Sequence, residues 1–303
     1  MTRATAFAPG SIGNVGPGFD VLGLAFEGAG DTVTVELTDG ESRVASVTGR
    51  DAELVPLDAA RNCAAIAALA FLRPHGKNAI VSIEKGLPLA GGMGGSAASS
   101  VAGAYAAALC VNDANNTNAI VAAALEGEAA VAGRHLDNIA PSVLGGLALS
   151  RCVDPIDVVK LPVAADWWIA LVTPRVRIQT KQARALLPNE TDRATWIQQM
   201  ANTTALAHAF ASGDAALLGR ALDDRYAEPR RASLIPRFHD VKRAALAAGA
   251  FGCSISGSGP TLFAICADEA SARQCTDAMQ AAFRDIESTA HAGAIAKEGA
   301  RRV

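Results

Sequence analysis

Residues 88–99 read PLAGGMGGSAAS, a glycine-dense loop that runs directly into an alanine-rich segment. The four glycines between positions 91 and 95 lack a Cβ atom and admit positive φ, so their backbone N–H groups can turn toward one anion. The residues that follow predict a helix from 96 to 109, whose unpaired N–H groups and dipole favour a bound phosphate. The composition therefore indicates a phosphate cradle. The alternative is a flexible linker ahead of a core helix.

This loop differs from two common nucleotide-binding loops. No Lys-Ser or Lys-Thr pair follows the glycines, which excludes a Walker A loop. The spacing of the glycines also does not fit the dinucleotide-binding fingerprint of a Rossmann fold.

Length and composition indicate a two-domain or large one-domain protein with small core side chains. The chain has 303 residues, of which 50% are hydrophobic and 5% aromatic, and alanine is abundant. A net charge of −3 gives no electrostatic reason to expect nucleic acid or a membrane as a partner. No N-terminal stretch resembles a signal peptide, and the six cysteines lack any metal-type spacing. We expect a cytoplasmic protein without a structural disulfide or zinc.

Strand-like and helix-like segments occur in both halves of the chain, which favours an α+β or α/β fold. Period-two alternation and turn residues predict strands at 31–38, 79–84, 147–151 and 167–172, and a strand–turn–strand unit at 252–267. Apolar periodicity and capping residues predict helices at 59–72, 96–109, 117–131, 181–187, 202–210, 214–222, 237–248 and 270–286. Thr180 is expected to cap the fourth of these helices. Prolines and mixed charge between 152 and 166 suggest a domain boundary.

Two further runs stand out. Residues 8–20, APGSIGNVGPGFD, predict a rigid non-helical loop around Asn14 and Asp20, which suits a ligand wall because its ordering entropy is lost before binding. The alternative is an irregular lead into the first strands. Residues 251–261, FGCSISGSGPT, place a Gly-Ser-Gly turn between apolar residues. The backbone of this turn is therefore expected to pass close to a neighbouring group. An ordinary hairpin turn is the alternative.

The three runs, in this order and at these separations, resemble the GHMP kinase superfamily, and within it most closely the homoserine kinases. The resemblance covers essentially the whole chain. It implies an α+β fold with an N-terminal domain like domain 2 of ribosomal protein S5 (residues 1–155) and a ferredoxin-like C-terminal domain (156–303). It also implies ATP-dependent phosphorylation of the side-chain hydroxyl of L-homoserine to O-phospho-L-homoserine, a step of threonine biosynthesis. The alternatives are another small hydroxy acid or alcohol (L-threonine, shikimate or mevalonate) or a non-catalytic ligand-binding paralogue.

The resemblance implies a set of ATP-binding residues and a Mg²⁺ site. The ATP-binding residues would be Asn62, Pro88, Leu89, Ala90, Gly91, Gly92, Met93, Gly94, Gly95, Ser96, Ala97 and Ser99. Mg²⁺ would be held by Ser96 and by a glutamate of the following helix, either Glu126 or Glu128. We favour Glu128, because it lies on the apolar stripe of that helix, where a carboxylate is costly unless it is paired or bound to metal. A buried salt bridge is its alternative role.

The substrate site is implied by three stretches that are similar to homoserine kinases. They are residues 134–141 (RHLDNIAP), 180–184 and 224–231 (DRYAEPRR). Arg184 and Arg231 would bind the carboxylate, since a guanidinium can bond both oxygens. Asp20 would face the ammonium group, and Asn14 and Asn138 the hydroxyl end. The full implied set is Asn14, Asp20, Asp137, Asn138, Thr180, Arg184, Arg231 and Gly257.

The implied mechanism is direct phosphoryl transfer with Asn138, Ser96 and Glu128 as the catalytic residues. Asn138 stands where some relatives have an aspartate base, and an amide cannot accept a proton. Asp137 is the reserve base, although adjacent side chains are not expected to face the substrate together. Gly95 stands where the family loop usually has serine, so one hydroxyl is missing. The segment before His135 is also one residue short, which leaves the alignment of Glu128 less secure. Relatives often form homodimers, whereas this sequence by itself does not fix an oligomeric state.

Overall fold

The computed structural model describes all 303 residues, which form eleven strands and ten α-helices. The strands are β1 (Arg3–Gly13), β2 (Leu22–Thr38), β3 (Arg43–Gly49), β4 (Asn78–Lys85), β5 (Leu147–Val153), β6 (Ile156–Leu161), β7 (Trp168–Pro174), β8 (Gly252–Ile255), β9 (Leu262–Cys266), β10 (Ser288–Ala294) and β11 (Arg301–Arg302). The helices are α1 (Cys63–Leu72), α2 (Gly95–Cys110), α3 (Thr117–Ala129), α4 (Ile139–Leu144), α5 (Thr180–Ala185), α6 (Arg193–Ser212), α7 (Ala215–Ala221), α8 (Glu228–Arg231), α9 (Phe238–Ala247) and α10 (Glu269–Phe283). None of the helices combines the length and apolar character needed to cross a bilayer.

The first sheet has seven strands and carries helices α1 to α3 as a packed layer. Its order is β11-β1-β2-β4-β3, with the β5–β6 hairpin paired to the start of β2. Small residues let the helices approach closely, as the alanine-rich composition predicts. A Cβ atom on Gly103 of α2 would lie 2.4 Å from the carbonyl oxygen of Ala64, and one on Gly127 of α3 would lie 2.4 Å from that of Cys63. The helix layer therefore depends on these two glycines.

The second sheet is antiparallel, with the order β10-β7-β9-β8. Counted along this unit, the order is fourth, first, third, second, which confirms the expected ferredoxin-like arrangement. Helices α9 and α10 pack on each other and against its strands. Trp167 packs edge-on against Phe210 and Phe251, with ring centroids 5.5 and 5.8 Å apart. All three lie in or against the large apolar cluster that also contains the core of the first sheet. The two units therefore share a buried core.

Two segments differ from the sequence prediction at the amino-terminal end. Residues 8–20 are not a loop throughout, because β1 continues to Gly13 and pairs with β2. The helix expected from residue 59 begins at Cys63. The side chain of Asn62 caps it by accepting hydrogen bonds from the N–H groups of Ala64 and Ala65 at 3.1 and 3.2 Å.

Two helices of the second unit also differ. Thr180 is the first residue of α5, and the N-cap position belongs to Gln179 without a side-chain cap. The prediction of Thr180 as a cap is therefore wrong. Helix α6 begins at Arg193, well before the predicted residue 202, since Asp192 caps it by accepting from Thr195 N–H at 2.9 Å.

The domain boundary predicted at residues 155/156 falls within the β5–β6 hairpin. Val153 and Ile156 are partners in this hairpin, and both of its strands belong to the first sheet. A division at that point would separate hydrogen-bonded strands. We therefore propose that the first unit continues to Leu161 and also includes β11.

Candidate active site

A cavity of about 840 Å³ lies between the glycine loop and the second unit. Every residue predicted to bind the substrate lines it: Asn14, Asp20, Asp137, Asn138, Thr180, Arg184, Arg231 and Gly257. So do most residues predicted to bind ATP or metal: Asn62, Leu89, Ala90, Gly91, Gly92, Gly94, Gly95, Ser96, Ser99 and Glu128. The fold thus brings the predicted nucleotide and substrate residues to one cavity, while their individual roles stay predictions.

The glycine loop presents free hydrogen-bond donors. From Ala90 to Ala97, no backbone N–H group finds an acceptor within the protein. Gly94 holds the N-cap position of α2 and has no side chain that could cap the first turn. Unpaired amides at a helix N-terminus attract an anion, both through their hydrogens and through the helix dipole. This stretch therefore has what an anion-binding loop needs.

The carbonyl groups of the same loop accept hydrogen bonds from other parts of the chain. The hydroxyls of Ser256 and Thr261 donate to the carbonyl oxygens of Gly92 and Gly91, respectively. The N–H of Ser11 donates to the carbonyl oxygen of Met93 at 3.1 Å. These bonds join the first and third motif runs to the loop. They fix its carbonyl groups and leave its N–H groups available.

Only two of the four loop glycines adopt the left-handed conformation. Gly92 and Gly94 have φ of +76° and +69°, and Ala90 also has a positive φ of +52°. A Cβ atom on Gly92 would lie 2.6 Å from the carbonyl oxygen of Ser256. Gly91 and Gly95 do not have a positive φ, so the expectation of positive φ holds for only two of the four glycines.

Three predicted ATP-binding side chains do not line the cavity. Met93 and Ala97 are buried, and Met93 points instead toward Thr173, whose hydroxyl lies 3.7 Å from the sulfur. Pro88 does not line the cavity either. Their role in ATP binding therefore stays a prediction that no side chain at the cavity supports. Met93 and Ala97 can still offer a backbone N–H, whereas proline has none.

Asn62 lines the cavity, but its side chain is largely occupied. Its Oδ1 caps α1 as described, and its Nδ2 donates to the carbonyl oxygen of Pro56 at 2.8 Å. The residue is buried. We therefore assign Asn62 to shaping the cavity wall, with one N–H left for a ligand.

Ser96 and Glu128 form the predicted pair. The Ser96 hydroxyl donates to Oε1 of Glu128 at 3.0 Å, whereas the buried Oε2 has no partner. Burial raises the pKa of Glu128 from 4.5 to about 7. Glu126 instead lies at the surface and forms an ion pair with Arg73 at 2.9 Å. The inward orientation predicted for Glu128 is confirmed, and its orphaned oxygen leaves room for a cation.

Asp137 and Asn138 both face the cavity, which contradicts the expectation that adjacent side chains could not. Gly13 is the reason. A Cβ atom there would lie 2.4 Å from Oδ2 of Asp137 and 2.4 Å from Nδ2 of Asn138. The Ser11 hydroxyl donates to Oδ1 of Asn138 at 3.0 Å, and in this amide orientation Nδ2 is the free donor.

The carboxyl group of Asp137 is buried and accepts one hydrogen bond, from Asn14 N–H at 3.0 Å. Burial, together with the nearby negative charge of Asp20, raises its pKa from 3.8 to about 7. At neutral pH this carboxyl group is therefore partly protonated.

The two predicted arginines differ in their partners. NH2 of Arg184 contacts both carboxylate oxygens of Asp20 at 2.7 and 2.9 Å, while its buried Nε has no partner. Arg231 is buried and donates only to the carbonyl oxygens of Ala183 and Gly257, at 3.4 and 3.1 Å. Burial, and then the charge of Arg184, lowers the pKa of Arg231. A buried guanidinium without a carboxylate partner is a site that an anion would stabilise.

Both guanidinium groups lie over the ring of Phe19, at 5.2 Å for Arg184 and 5.3 Å for Arg231. Such contacts favour a cation by roughly 0.5–2 kcal/mol. Phe19 lies in the same run, residues 8–20, that carries Asn14 and Asp20. It therefore holds the two cations side by side at the cavity.

Several residues that shape this site were not predicted from the sequence, namely Ser11, Gly13, Phe19, Asp31, Asp51 and Lys85. Asp51 accepts from Leu89 N–H at 2.9 Å and so fixes the start of the glycine loop. Ser11, Gly13 and Phe19 lie inside a run that was already singled out. Asp31 begins the predicted strand 31–38 and Lys85 directly follows the predicted strand 79–84, positions where a charged residue is ordinary, so nothing local distinguishes them.

Comparison with known proteins agrees with this geometry. Residues 62–146 match the family model for the GHMP kinase N-terminal domain, and residues 206–285 match that for the GHMP kinase C-terminal region. The chain is 40% identical over 317 residues to a homoserine kinase of Chloroherpeton thalassium, with 99% of each chain covered. It is also 40% identical to a homoserine kinase of Arabidopsis thaliana, covering 98% of this chain and 84% of the plant protein.

A solved structure gives the same result. The crystal structure of homoserine kinase from Cytophaga hutchinsonii superimposes with a TM-score of 0.93 at 39% identity, covering 100% of this chain and 98% of the other. Identity of this extent over the full length, together with the two family models, leaves one assignment. This chain belongs to the GHMP kinase superfamily and, within it, to the homoserine kinase family.

Proposed function

We propose that this chain transfers the γ-phosphoryl group of ATP to the side-chain hydroxyl of L-homoserine. The observation that carries the proposal is one cavity with two complementary ends. At one end lie the free amides of residues 90–97, and at the other lies the buried, unpaired Arg231. A phosphate chain fits the first and a small carboxylate the second. The relatives named homoserine kinase support the choice of amino acid.

The substrate end matches a zwitterion. Arg231 and the orphaned Nε of Arg184 would bind the carboxylate as charge-assisted donors. Asp20 would bind the ammonium group, since its carboxylate lies at the cavity beside Arg184. The hydroxyl end would then reach Asn138, whose Nδ2 is free. This order places the hydroxyl on the side of the cavity nearest the glycine loop, because Gly94 and Asn138 are neighbours.

The donor set at Glu128 fits Mg²⁺. Oxygen ligands suit this ion, and here the unpartnered Oε2 and the Ser96 hydroxyl lie at the end of the glycine loop. Ser96 and Glu128 would hold it, and bound Mg²⁺ would neutralise charge on the β- and γ-phosphates. Without a cation, the buried carboxyl carries the raised pKa described above.

The transfer step needs little covalent help from the protein. The hydroxyl oxygen forms a bond to the γ-phosphorus while the bond to the β–γ bridging oxygen breaks, and the hydroxyl proton leaves to a phosphoryl oxygen. Asn138 orients the hydroxyl by donating from Nδ2, and the loop amides stabilise the charge on the equatorial oxygens. Positioning and electrostatics supply most of the rate in such reactions.

The substrate assignment is tested by removing one group of homoserine at a time. ADP release is measured with L-homoserine, with 4-hydroxybutyrate (no ammonium) and with 3-aminopropan-1-ol (no carboxylate), alongside L-threonine, shikimate and mevalonate. We expect L-homoserine to have the highest kcat/KM, and each truncated analogue to lose at least about 100-fold. Turnover of mevalonate but not homoserine would refute the proposal. Tight ATP binding with no turnover of any alcohol would indicate a non-catalytic paralogue.

The role of Asp137 is tested by Asp137→Asn. If Asp137 were the general base, its loss would lower kcat about 10²- to 10⁴-fold, and kcat of the parent would fall below pH 7 as this carboxyl protonates. We expect a smaller loss, less than about tenfold, because direct transfer requires no protein base. The measurement is kcat from pH 5.5 to 9 for the parent and the variant. A larger loss, with the acidic limb abolished, would make Asp137 the base.

The missing loop hydroxyl is tested by Gly95→Ser. Gly95 has ordinary φ, and an added Cβ would meet only the Pro88 carbonyl oxygen closely, at 3.0 Å. We expect stability to change by less than about 1 kcal/mol and kcat to stay within a factor of about five, because Ser96 already serves Glu128. As a matched control, Gly92→Ser introduces a side chain at positive φ and should cost more than about 2 kcal/mol. A rise of tenfold or more in the Gly95→Ser kcat would show that the hydroxyl is limiting.

A further inference from the structure

A buried ion pair, Asp31 with Lys85, lies beneath the glycine loop, and neither of its two members was predicted to bind ATP, metal or substrate. Asp31 of β2 is fully buried and accepts four hydrogen bonds. Its Oδ1 accepts from the N–H groups of Gly86 and Leu87 at 3.0 and 3.2 Å. Its Oδ2 accepts from the ammonium group of Lys85 and from the Ser99 hydroxyl, the latter at 2.6 Å. One carboxylate therefore holds the chain that leads into the loop and a residue of the helix that follows it.

Lys85 completes the connection. Its ammonium group donates to Asp31, to the carbonyl oxygen of Gly95 at 3.1 Å and to the Ser99 hydroxyl at 2.8 Å. An ammonium group has three N–H bonds, so all of them are used. Lys85 touches the cavity wall, but its protons are directed into the protein.

The loop cannot fix its own shape. Its amides from residue 90 to 97 have no acceptor, so the conformation depends on anchors at the ends and on the carbonyl contacts from Ser256 and Thr261. We propose that Asp31 and Lys85 are positioning residues, which hold the two ends of the phosphate loop at the separation at which its free amides converge. The pair is neutral overall, so it adds no repulsion toward a phosphate.

The inference rests on the proposed function only in taking a nucleotide phosphate as the ligand of the loop. The competing explanation is that Lys85 itself binds phosphate when the nucleotide enters. The two differ in the behaviour of Asp31→Asn. If Lys85 were the ligand, this variant would free the cation and preserve or improve ATP binding. If the pair acts as an anchor, removing either member has the same consequence.

The experiment compares Asp31→Asn, Lys85→Met and the double variant with the parent, at a temperature well below unfolding. We expect each single variant to raise KM for ATP at least tenfold while KM for homoserine stays within threefold. The double variant should be no worse than the singles, since both remove the same anchor, and it should melt at a higher temperature because it leaves no unpaired buried charge. Met279→Ala, in the core of the second unit, controls for lost stability and should change neither KM.

A second readout does not depend on turnover. Amide hydrogen exchange of Gly86, Leu87 and Ala98, whose N–H groups are hydrogen-bonded in the ligand-free protein, should accelerate at least tenfold in Asp31→Asn and in Lys85→Met. Should both single variants fail to fold, Ser99→Ala, which removes one bond at each member of the pair, is measured instead. Unchanged exchange, or a higher KM for ATP in Lys85→Met alone, would overturn the proposal. If the parent does not turn over homoserine, the proposed function is refuted. The anchoring role of Asp31 and Lys85 is still tested in that case, because the exchange measurement does not require turnover.

Discussion

Glu128→Gln is expected to lower kcat at saturating ATP and homoserine by about 100-fold or more. The amide keeps the size of the carboxyl group and can still accept from the Ser96 hydroxyl, but it removes the negative charge at the orphaned Oε2. We also expect half-maximal activity to require a higher Mg²⁺ concentration. The measurement is ADP release as a function of Mg²⁺. Glu126→Gln is the matched control, since it lies two residues away on the same helix and at the surface, and it should behave like the parent.

In the metal-free protein, the stability of Glu128→Gln relative to the parent is expected to depend on pH. Burial raises the pKa of Glu128 from 4.5 to about 7, so ionising it costs stability in the folded state only. The cost is absent below pH 4.5, grows as pH rises toward 7 and is complete above it. Without Mg²⁺ and nucleotide, Glu128→Gln should therefore be more stable than the parent at pH 8, by up to about 3 kcal/mol, and nearly equal at pH 5. Equal melting temperatures at pH 8 would contradict the burial of a charge at this position.

Arg231→Leu is expected to lower kcat/KM for L-homoserine by about 100-fold or more, with KM for ATP unchanged. Truncating one partner of a buried charge pair costs about 2–5 kcal/mol, which corresponds to this range. Arg231 has only carbonyl acceptors in the free protein, so the loss appears when the substrate carboxylate arrives. Arg230→Leu is the neighbouring control, because Arg230 donates to the carbonyl oxygen of Tyr226, outside the cavity.

The truncated substrate separates a binding role of Arg231 from a structural one. 3-Aminopropan-1-ol has no carboxylate, so its slow turnover should be nearly the same in Arg231→Leu and in the parent. If the variant slows both substrates equally, Arg231 supports the fold of the site rather than the carboxylate. The melting temperature of the substrate-free variant should not fall, because the substitution removes an unpaired buried cation.

Much of the fold and of the site composition could be predicted from the sequence. The glycine loop followed by alanines predicts α2, and the structure begins that helix at Gly95, one residue before the predicted start. The apolar stripe of α3 predicts which glutamate faces inward, since helical periodicity alone separates Glu128 from Glu126. The three motif runs also predict correctly that residues far apart in the chain meet at one cavity.

Other features of the site could not be predicted, because they depend on which backbone passes nearby. Gly13 allows Asp137 and Asn138 to face the cavity together, although the two are adjacent in sequence. Asn62 is a different case, because its side chain caps α1 through the N–H groups of Ala64 and Ala65, a local contact that was missed because the helix was predicted to begin at residue 59. The arrangement at Gly13 depends on contacts with residues outside the local window, which no spacing rule contains.

The sequence by itself determined the helices α1 to α3, the glycine loop and the kinds of charged group available, because hydrophobic period, capping and glycine content act over a few residues. Only the tertiary structure decided which charges are neutralised and which are left for a ligand. Asp20 pairs with Arg184, Asp31 pairs with Lys85, and Arg231 stays unpaired. The physical reason is burial: the cost of a charge depends on the dielectric and the partners around it, and folding sets both.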